Sequence, residues 1–332
     1  MGVVGEAVGE AVGEARGKLL LCGEHVAVYG YSAVGIPLPW ATRVRLSPFQ
    51  EKIEESGSWR WASGRSKRLS LLFRRLLECL PALKKFSCEV TVDSELPMGV
   101  GFGSSAALCV ALVRASYALI GERPENQAVW ELAHRLEGVF HGAPSGIDTG
   151  IAVFEELCFF ERREGGRGEG LPVVECVRGV GELPLVIGAV PRESTTRRLV
   201  SDLKARLEGD TEAAEWLKEL GAEAKGAKGK LGDLEALGAL FNRAQCALEK
   251  LIPMPKGMVT MLDCAGTAGA LGVKMSGAGG GGAYIALARS PKAAERLAEE
   301  MRAFAEAQRI PHALLPVAYV HEPAAEILSS IK

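Results

Sequence analysis

A glycine-rich segment runs directly into an apolar stretch in the first third of the chain. Residues 97–107 read PMGVGFGSSAA, and apolar residues from Leu108 to Ala115 follow at once. Alternating glycines let a ligand approach the backbone closely. The free N–H groups and the dipole of a first helical turn attract anions, and serine is a favoured residue at a helix start. The segment predicts a cradle for the polyphosphate of a nucleotide, formed by Pro97, Gly99, Gly101, Gly103, Ser104 and Ser105. The alternative is a glycine-rich turn that merely starts a helix.

A second glycine-rich loop spans residues 276–283 and reads SGAGGGGA. Its glycines fit the pattern G-x-G-x-x-G, but an apolar strand follows the loop where a dinucleotide-binding fold would have a helix. The sequence has neither G-x-x-x-x-G-K-[ST] nor the HRD and DFG motifs of protein kinases. Two interpretations stay open, a tight hairpin or a ligand-facing surface that includes Gly277 and Gly279.

A third segment ends in an acidic residue on a constrained turn. Residues 137–148 read EGVFHGAPSGID, so a helix runs into a loop rich in glycine and proline. One interpretation is that Glu137 and Asp148 take part in chemistry. The other is a simple helix stop, in which Gly142 and Pro144 end the helix and Asp148 caps a local turn.

Composition limits the classes of partner. The chain has 332 residues, 48% hydrophobic and 24% charged, which suits two folded domains and excludes a disordered protein. A net charge of −2 gives no indication of a nucleic-acid partner. No run of 18 apolar residues and no signal peptide are present, so we expect no membrane partner and a cytoplasmic location. The eight cysteines are scattered without C-x-x-C spacing, which predicts buried thiols rather than a metal site or a disulfide framework.

Hydrophobic periodicity predicts an α+β fold. Residues 1–16 repeat GEAV, GEAV and GEAR, and so many glycines indicate a flexible tail. Strands and helices then mix without regular βαβ alternation, which indicates two lobes. We predict an N-terminal nucleotide-binding domain over 17–185 and a C-terminal α+β domain over 186–332. The predicted strands are 18–22, 26–29, 86–92, 270–275, 283–288 and 313–320, and the predicted helices are 66–80, 104–120, 125–140 and 291–308.

Three segments together resemble the motifs of the GHMP small-molecule kinases. They are GKLLLCGEHVAVYG at 17–30, PMGVGFGSSAA at 97–107 and KMSGAGGGGAYI at 274–285, in the family's order and approximate spacing. Within that superfamily, HGAPSGID at 141–148 and GEH at 23–25 are most similar to the mevalonate kinases. The resemblance covers nearly the whole chain from residue 17. Residues 50–70, expected to supply part of the adenine pocket, align with no family pattern, and further departures are Arg16, Met98, Val100 and Phe102.

The resemblance implies a two-lobed fold with the active site in the cleft between the lobes, and phosphoryl transfer from ATP with Mg²⁺. By resemblance, Asp148 is the acidic residue that takes the proton of the substrate alcohol, and Lys18 is the conserved lysine that stabilises negative charge. Ser105 and Glu137 match the Mg²⁺ ligands, and a hard cation prefers such oxygen donors. The alternatives are a surface Lys18 at a strand start and a solvated Glu137 on a helix.

For the substrate, the resemblance implies contacts from Glu24 and His25 and from the hydroxyl of Thr196. Thr195 is an alternative to Thr196, and Arg197 is a candidate cation for a substrate carboxylate. The expected reaction is ATP-dependent phosphorylation of mevalonate to 5-phosphomevalonate in isoprenoid synthesis, and a homodimer is left open. The alternatives are another GHMP kinase, acting on phosphomevalonate or a different alcohol, and a non-catalytic homologue that binds a metabolite.

Overall fold

The computed structural model describes residues 9–49, 59–62, 66–141, 144–162 and 170–322. By packing, the chain forms two units, each discontinuous in sequence. The first unit comprises 1–18, 37–96 and 103–155, and the second comprises 19–36, 97–102 and 156–332. The sequence predicts one boundary between 185 and 186, whereas the chain passes between the units several times.

The first unit combines helices with strands of one sheet. Each of the first two strands, β1 and β2, has residues in both units, because the unit boundaries fall after residue 18 and after residue 36. The elements carrying first-unit residues are β1 (Ala11–Cys22), β2 (Ala33–Pro48), β3 (Trp59–Trp61), α1 (Lys67–Cys79), a 3-10 helix (Pro81–Lys85), β4 (Cys88–Ser94), α2 (Ser104–Ile120), α3 (Asn126–His141) and α4 (Ile147–Phe154). β4 pairs antiparallel with β2 and parallel with β3, and β1 also pairs with β2.

Helix α2 is the centre of the first unit. Ten of its residues are buried, and α3 and α4 both pack against it. The predicted span 104–120 agrees with the observed helix, but the residue at its N-cap is Gly103 rather than a serine. Gly121, in the left-handed conformation, ends the helix.

The second unit contains the ends of β1 and β2, a 3-10 helix (Ala27–Tyr29) and a four-stranded sheet covered by helices. Its further elements along the chain are β5 (Cys158–Glu161), β6 (Val173–Cys176), β7 (Leu183–Val190), α5 (Thr196–Leu207), α6 (Thr211–Gly226), a 3-10 helix (Lys228–Lys230), α7 (Leu234–Leu251), α8 (Lys256–Thr267), β8 (Gly272–Met275), β9 (Gly282–Leu287), α9 (Pro291–Ala307) and β10 (Leu314–His321). In the four-stranded sheet the strand order is β10-β7-β9-β8, and all the pairings are antiparallel. Along the described part of the chain, no helix is both long and apolar enough to cross a membrane.

Three local predictions were wrong. Residues 26–29 are not a strand, because Gly30 in the left-handed conformation closes a 3-10 helix there. Asp148 lies in the first turn of the unpredicted helix α4 rather than on a turn. Residues 11–16 belong to β1 rather than to a tail, because Ala11, Gly13 and Ala15 alternate with exposed residues and face inward. Of the rest of the expected tail, Gly9 and Glu10 precede the strand, and residues 1–8 lie outside the described residues.

Gly13 tests whether β1 packs on α2 as described. A Cβ at residue 13 would lie 2.1 Å from the carbonyl oxygen of Ala111 and 2.3 Å from the amide nitrogen of Ala115. Because both neighbours are helix backbone, Gly13→Ala should lower the free energy of unfolding by about 1–3 kcal/mol. Thermal denaturation measures the effect.

The matched control is Gly9→Ala, since a Cβ at Gly9 would have no neighbour within 4 Å. Equal melting temperatures for the two variants would mean that residues 11–16 do not pack as a strand.

Candidate active site

In the first unit, Lys18 of β1 forms an ion pair with Asp148 of α4. Its Nζ lies 3.0 Å from Asp148 Oδ2. The Lys18 side chain is 4% exposed and the Asp148 side chain is 31% exposed. Solvent and small molecules therefore reach the carboxylate far more easily than the ammonium.

Gly103 makes room for this buried lysine. A Cβ on Gly103 would lie 2.6 Å from Cγ of Lys18, and its φ of 73° is in the left-handed region. The sequence predicts that Gly103 contacts the nucleotide. The structure adds a second reason for glycine, because the aliphatic stem of Lys18 passes over the N-terminus of α2.

The start of α4 fixes the position of Asp148. Gly146 is the N-cap residue, with φ of 83°, and its carbonyl oxygen accepts hydrogen bonds from Trp130 Nε1 at 2.8 Å and Thr149 Oγ1 at 3.1 Å. Asp148 is the second residue of the helix, where the N-terminal dipole stabilises a negative charge. The carboxylate therefore has a defined direction and two sources of charge stabilisation, the dipole and Lys18.

Glu137 of α3 is a buried carboxyl with an unused oxygen. The residue is 2% exposed, and Oε2 has no hydrogen-bond partner among the described residues. Burial raises the pKa of Glu137 to about 8; the negative charge of Asp148 acts in the same direction, and Lys18 opposes both. A buried carboxylate oxygen without a donor suits a hard cation.

Ser105, the other predicted metal ligand, is the second residue of α2. Its Oγ lies 3.0 Å from Nε2 of His141, at the end of α3. The hydroxyl of Ser105 and the carboxyl of Glu137 are each an oxygen donor of the kind that Mg²⁺ prefers, and this ion needs few protein ligands when phosphates supply the rest. The sequence predicts no role for His141, although this residue begins the motif HGAPSGID at 141–148.

In the second unit, the guanidinium of Arg192 lies between the two glycine-rich loops. A Cβ on Gly101 would be 2.9 Å from Arg192 Nη2, and a Cβ on Gly282 would be 2.8 Å from Nε. Arg192 Nη1 also donates a hydrogen bond to Oγ1 of Thr196 at 3.2 Å. Arg197, the cation chosen from sequence, is exposed on α5. Arg192 is therefore a candidate cation that the sequence did not reveal, although it stands four residues before the predicted Thr196.

The loops themselves meet through backbone contacts. The amide of Ala283 donates to the carbonyl of Val100 at 2.8 Å, and β8 and β9 form a hairpin around residues 276–281. A Cβ on Gly279 would lie 2.5 Å from Cδ1 of Ile252, which gives this glycine a packing role. Gly99 has no neighbour within 4 Å of such a Cβ, so its surface is open to a ligand.

Glu24 and His25 stand side by side but differ in their surroundings. Glu24 forms a fully buried ion pair with Lys274, whose Nζ also donates to the carbonyl of Met275 at 2.7 Å. His25 has φ of 62°, and its Nε2 lies 2.9 Å from the carbonyl oxygen of Ala278. Burial lowers the pKa of His25, so the neutral ring donates from Nε2. In this geometry the ion pair of Glu24 supports the turn at 23–25, and His25 forms a hydrogen bond with the second glycine-rich loop.

Family models match both halves of the chain. The GHMP kinases N terminal domain matches residues 69–156, and the GHMP kinases C terminal domain matches residues 217–307. The mevalonate kinase of Pyrococcus abyssi is 30% identical over 303 residues, which cover 82% of this chain and 86% of that protein. The mevalonate kinase of Pyrococcus horikoshii is 29% identical over 311 residues, with coverages of 82% and 86%.

A solved structure has the same fold. The crystal structure of L. major mevalonate kinase in complex with R-mevalonate superposes with a TM-score of 0.79 and 24% identity, covering 98% of this chain and 100% of that one. This likeness confirms the predicted α+β fold. With the two family models and relatives of similar length, it shows that the chain belongs to the GHMP kinases.

Proposed function

We propose that this protein transfers the γ-phosphoryl group of ATP to the primary alcohol of mevalonate. The observation that carries the reaction class is the Lys18–Asp148 pair, a partly exposed carboxylate 3.0 Å from a buried ammonium. The choice of mevalonate rests on the relatives, which are mevalonate kinases over more than four fifths of this chain. The cytoplasmic location and the homodimer expected from sequence stay predictions.

In the proposed mechanism, Asp148 accepts the proton of the alcohol as its oxygen attacks the γ-phosphorus. Phosphoryl transfer needs alignment and charge neutralisation more than covalent help from the protein. Lys18 supplies a fixed positive charge that is already desolvated, so it need not shed water during the reaction. The exposed edge of Asp148 is the part of the pair that a substrate hydroxyl can reach.

We assign Mg²⁺ binding to Ser105 and Glu137. When bound, the ion would neutralise charge on the phosphates of ATP. Glu137 offers the buried oxygen that has no hydrogen-bond donor, and Ser105 offers a hydroxyl oriented by His141. For ATP itself, the resemblance assigns the phosphate cradle to the two glycine-rich loops, through Pro97, Gly99, Gly101, Gly103, Ser104, Ser105, Gly277 and Gly279.

We assign recognition of the mevalonate carboxylate to Arg192 in place of Arg197. A guanidinium forms paired, charge-assisted hydrogen bonds with a carboxylate. Its hydrogen bond to Thr196 places a cation next to the hydroxyl that the resemblance assigns to the substrate. His25 keeps its proposed contact, whereas Glu24 acts through the turn that it supports.

A substrate panel tests the proposed function. Purified protein with MgATP should release ADP with mevalonate roughly tenfold faster or more than with phosphomevalonate, homoserine or galactose, because a site built for one set of polar groups rejects others. A coupled ADP assay measures each rate, with the Asp148→Asn variant as the blank. Equal or faster turnover of phosphomevalonate would reject mevalonate as the substrate and keep the kinase class.

The metal assignment predicts a changed Mg²⁺ requirement. Ser105→Ala and Glu137→Gln should each raise the Mg²⁺ concentration needed for half-maximal rate, since each variant loses an oxygen ligand. In EDTA, Glu137→Gln should melt no lower than the wild type, because the change removes a buried, unpartnered carboxyl.

The control for Glu137 is Glu131→Gln, an exposed position on the same helix. Unchanged Mg²⁺ titrations in both Ser105→Ala and Glu137→Gln would reject the ligand assignment.

The catalytic pair predicts coupled losses. Asp148→Asn should lower kcat by roughly 10²-fold or more, the usual scale of general base catalysis. Lys18→Met should also lower kcat, and the double variant should lose less than the product of the two effects, because the residues act as one unit. Steady-state kinetics on all four proteins, with nucleotide affinity measured alongside, completes the cycle.

Nucleotide affinity should change little in Asp148→Asn, because the glycine-rich loops are intact. Near-normal turnover in that variant would show that Asp148 is not the base.

A further inference from the structure

Two cysteines in the second unit face each other across neighbouring strands. Cys158 of β5 and Cys176 of β6 are directly opposite in the antiparallel register, and their Sγ atoms lie 3.8 Å apart. Both are free thiols in this structure, as are the other six cysteines. The sequence could not show this pair, because the antiparallel pairing of β5 and β6 creates the proximity and no motif spacing does.

We propose that Cys158 and Cys176 are a site of reversible modification, at which a low-molecular-weight disulfide such as oxidised glutathione converts the two thiols into an intramolecular disulfide that ties β6 to β5. Directly opposite residues of an antiparallel pair hold their Cβ atoms about 4.5–5.5 Å apart. A disulfide needs a Cβ separation only slightly shorter, about 3.5–4.5 Å. The two sulfurs are already in van der Waals contact, so a small approach of the strands suffices.

The exposure of the two thiols sets the order of the steps. Cys176 is half-buried and Cys158 is buried, so the oxidant meets Cys176 first. The Cys176 thiolate attacks oxidised glutathione, forms a mixed disulfide and releases one glutathione. The Cys158 thiolate then attacks the Cys176 sulfur and releases the second glutathione. The protein loses two protons and two electrons, and the two glutathione thiols gain them.

Burial and the neighbouring charges slow the exchange reaction of this pair. Burial raises the pKa of both thiols. Around Cys176, the carboxylates of Glu156 and Glu175 act in the same direction as burial, while Arg178 and the contact with Cys158 oppose it. A small thiolate fraction slows exchange, so we expect the disulfide to form faster at a higher concentration of the oxidant.

The disulfide would join β6 to β5 and would close a loop that contains residues 159–175. A cross-link of this kind restricts the unfolded chain more than the folded one. We therefore expect the oxidised protein to melt roughly 5 °C higher than the reduced protein.

Peptide mapping tests the cross-link. The full chain is incubated with oxidised glutathione, remaining thiols are blocked with N-ethylmaleimide, and the protein is digested with trypsin without reductant. Arginines at 162, 163 and 167 separate the two cysteines, so Cys158 lies on peptide 136–162 and Cys176 on peptide 168–178, each with no other cysteine. We expect these peptides to be found joined, and separate after dithiothreitol, and we expect the gain in melting temperature to reverse with the same reductant.

Two variants distinguish this site from general thiol oxidation. Cys176→Ser should abolish both the joined peptides and the gain in melting temperature. Cys264→Ser, a change at another half-buried cysteine, should keep both. The proposal is overturned when wild-type peptide 168–178 carries only glutathione or N-ethylmaleimide, or when the joined peptides form without any rise in melting temperature. Both measurements on the wild-type chain are independent of whether the serine variants fold.

Discussion

The buried positive charge of Lys18 is the constraint on which the first unit depends. An ammonium that is 4% exposed has lost most of its hydration, and only nearby negative charge can offset that cost. Asp148 provides it at 3.0 Å, which requires α4 to begin at this point of the chain. Gly103 provides the space for the lysine stem at the start of α2. One charged side chain therefore explains the positions of a strand, two helix N-termini and a left-handed glycine.

The second unit has a comparable constraint in the pair of Glu24 and Lys274. Both side chains are completely buried, so replacing either partner alone would leave an uncompensated charge in the interior. Two further contacts join the same segments: Ser276 Oγ donates to the carbonyl of Leu20 at 3.0 Å, and His25 bonds the carbonyl of Ala278. The turn at 23–25 and the second glycine-rich loop are thus held as one body, although 250 residues separate them.

Sequence reasoning succeeded where one local signal decided the structure. The apolar run after the glycine-rich segment predicted α2 correctly, because its burial on nearly all faces follows from composition alone. Prediction from the sequence failed where contacts between residues far apart in the chain determine the structure. Gly13 suggested a tail because glycine is a poor helix former, yet a backbone approach to α2 requires that glycine. Arg192 and Arg197 look alike in the sequence, and only the folded structure distinguishes them: Arg192 lies beside Gly101 and Gly282, whereas Arg197 is exposed. The roles of the site residues themselves stay predictions.

The cation available to each carboxyl separates Glu24 from the acids of the candidate site. Glu24 is buried and its Oε1 pairs with Lys274, although its Oε2, like that of Glu137, has no hydrogen-bond partner among the described residues. Asp148 shares a cation but keeps 31% of its side chain exposed, which leaves one edge available for a proton. Glu137 is buried with an oxygen that no described donor satisfies, and its raised pKa expresses the cost of that arrangement. A buried carboxyl oxygen without a donor, on a residue that forms no ion pair among the described residues, suits a bound cation, which makes Glu137 the stronger candidate for a metal ligand.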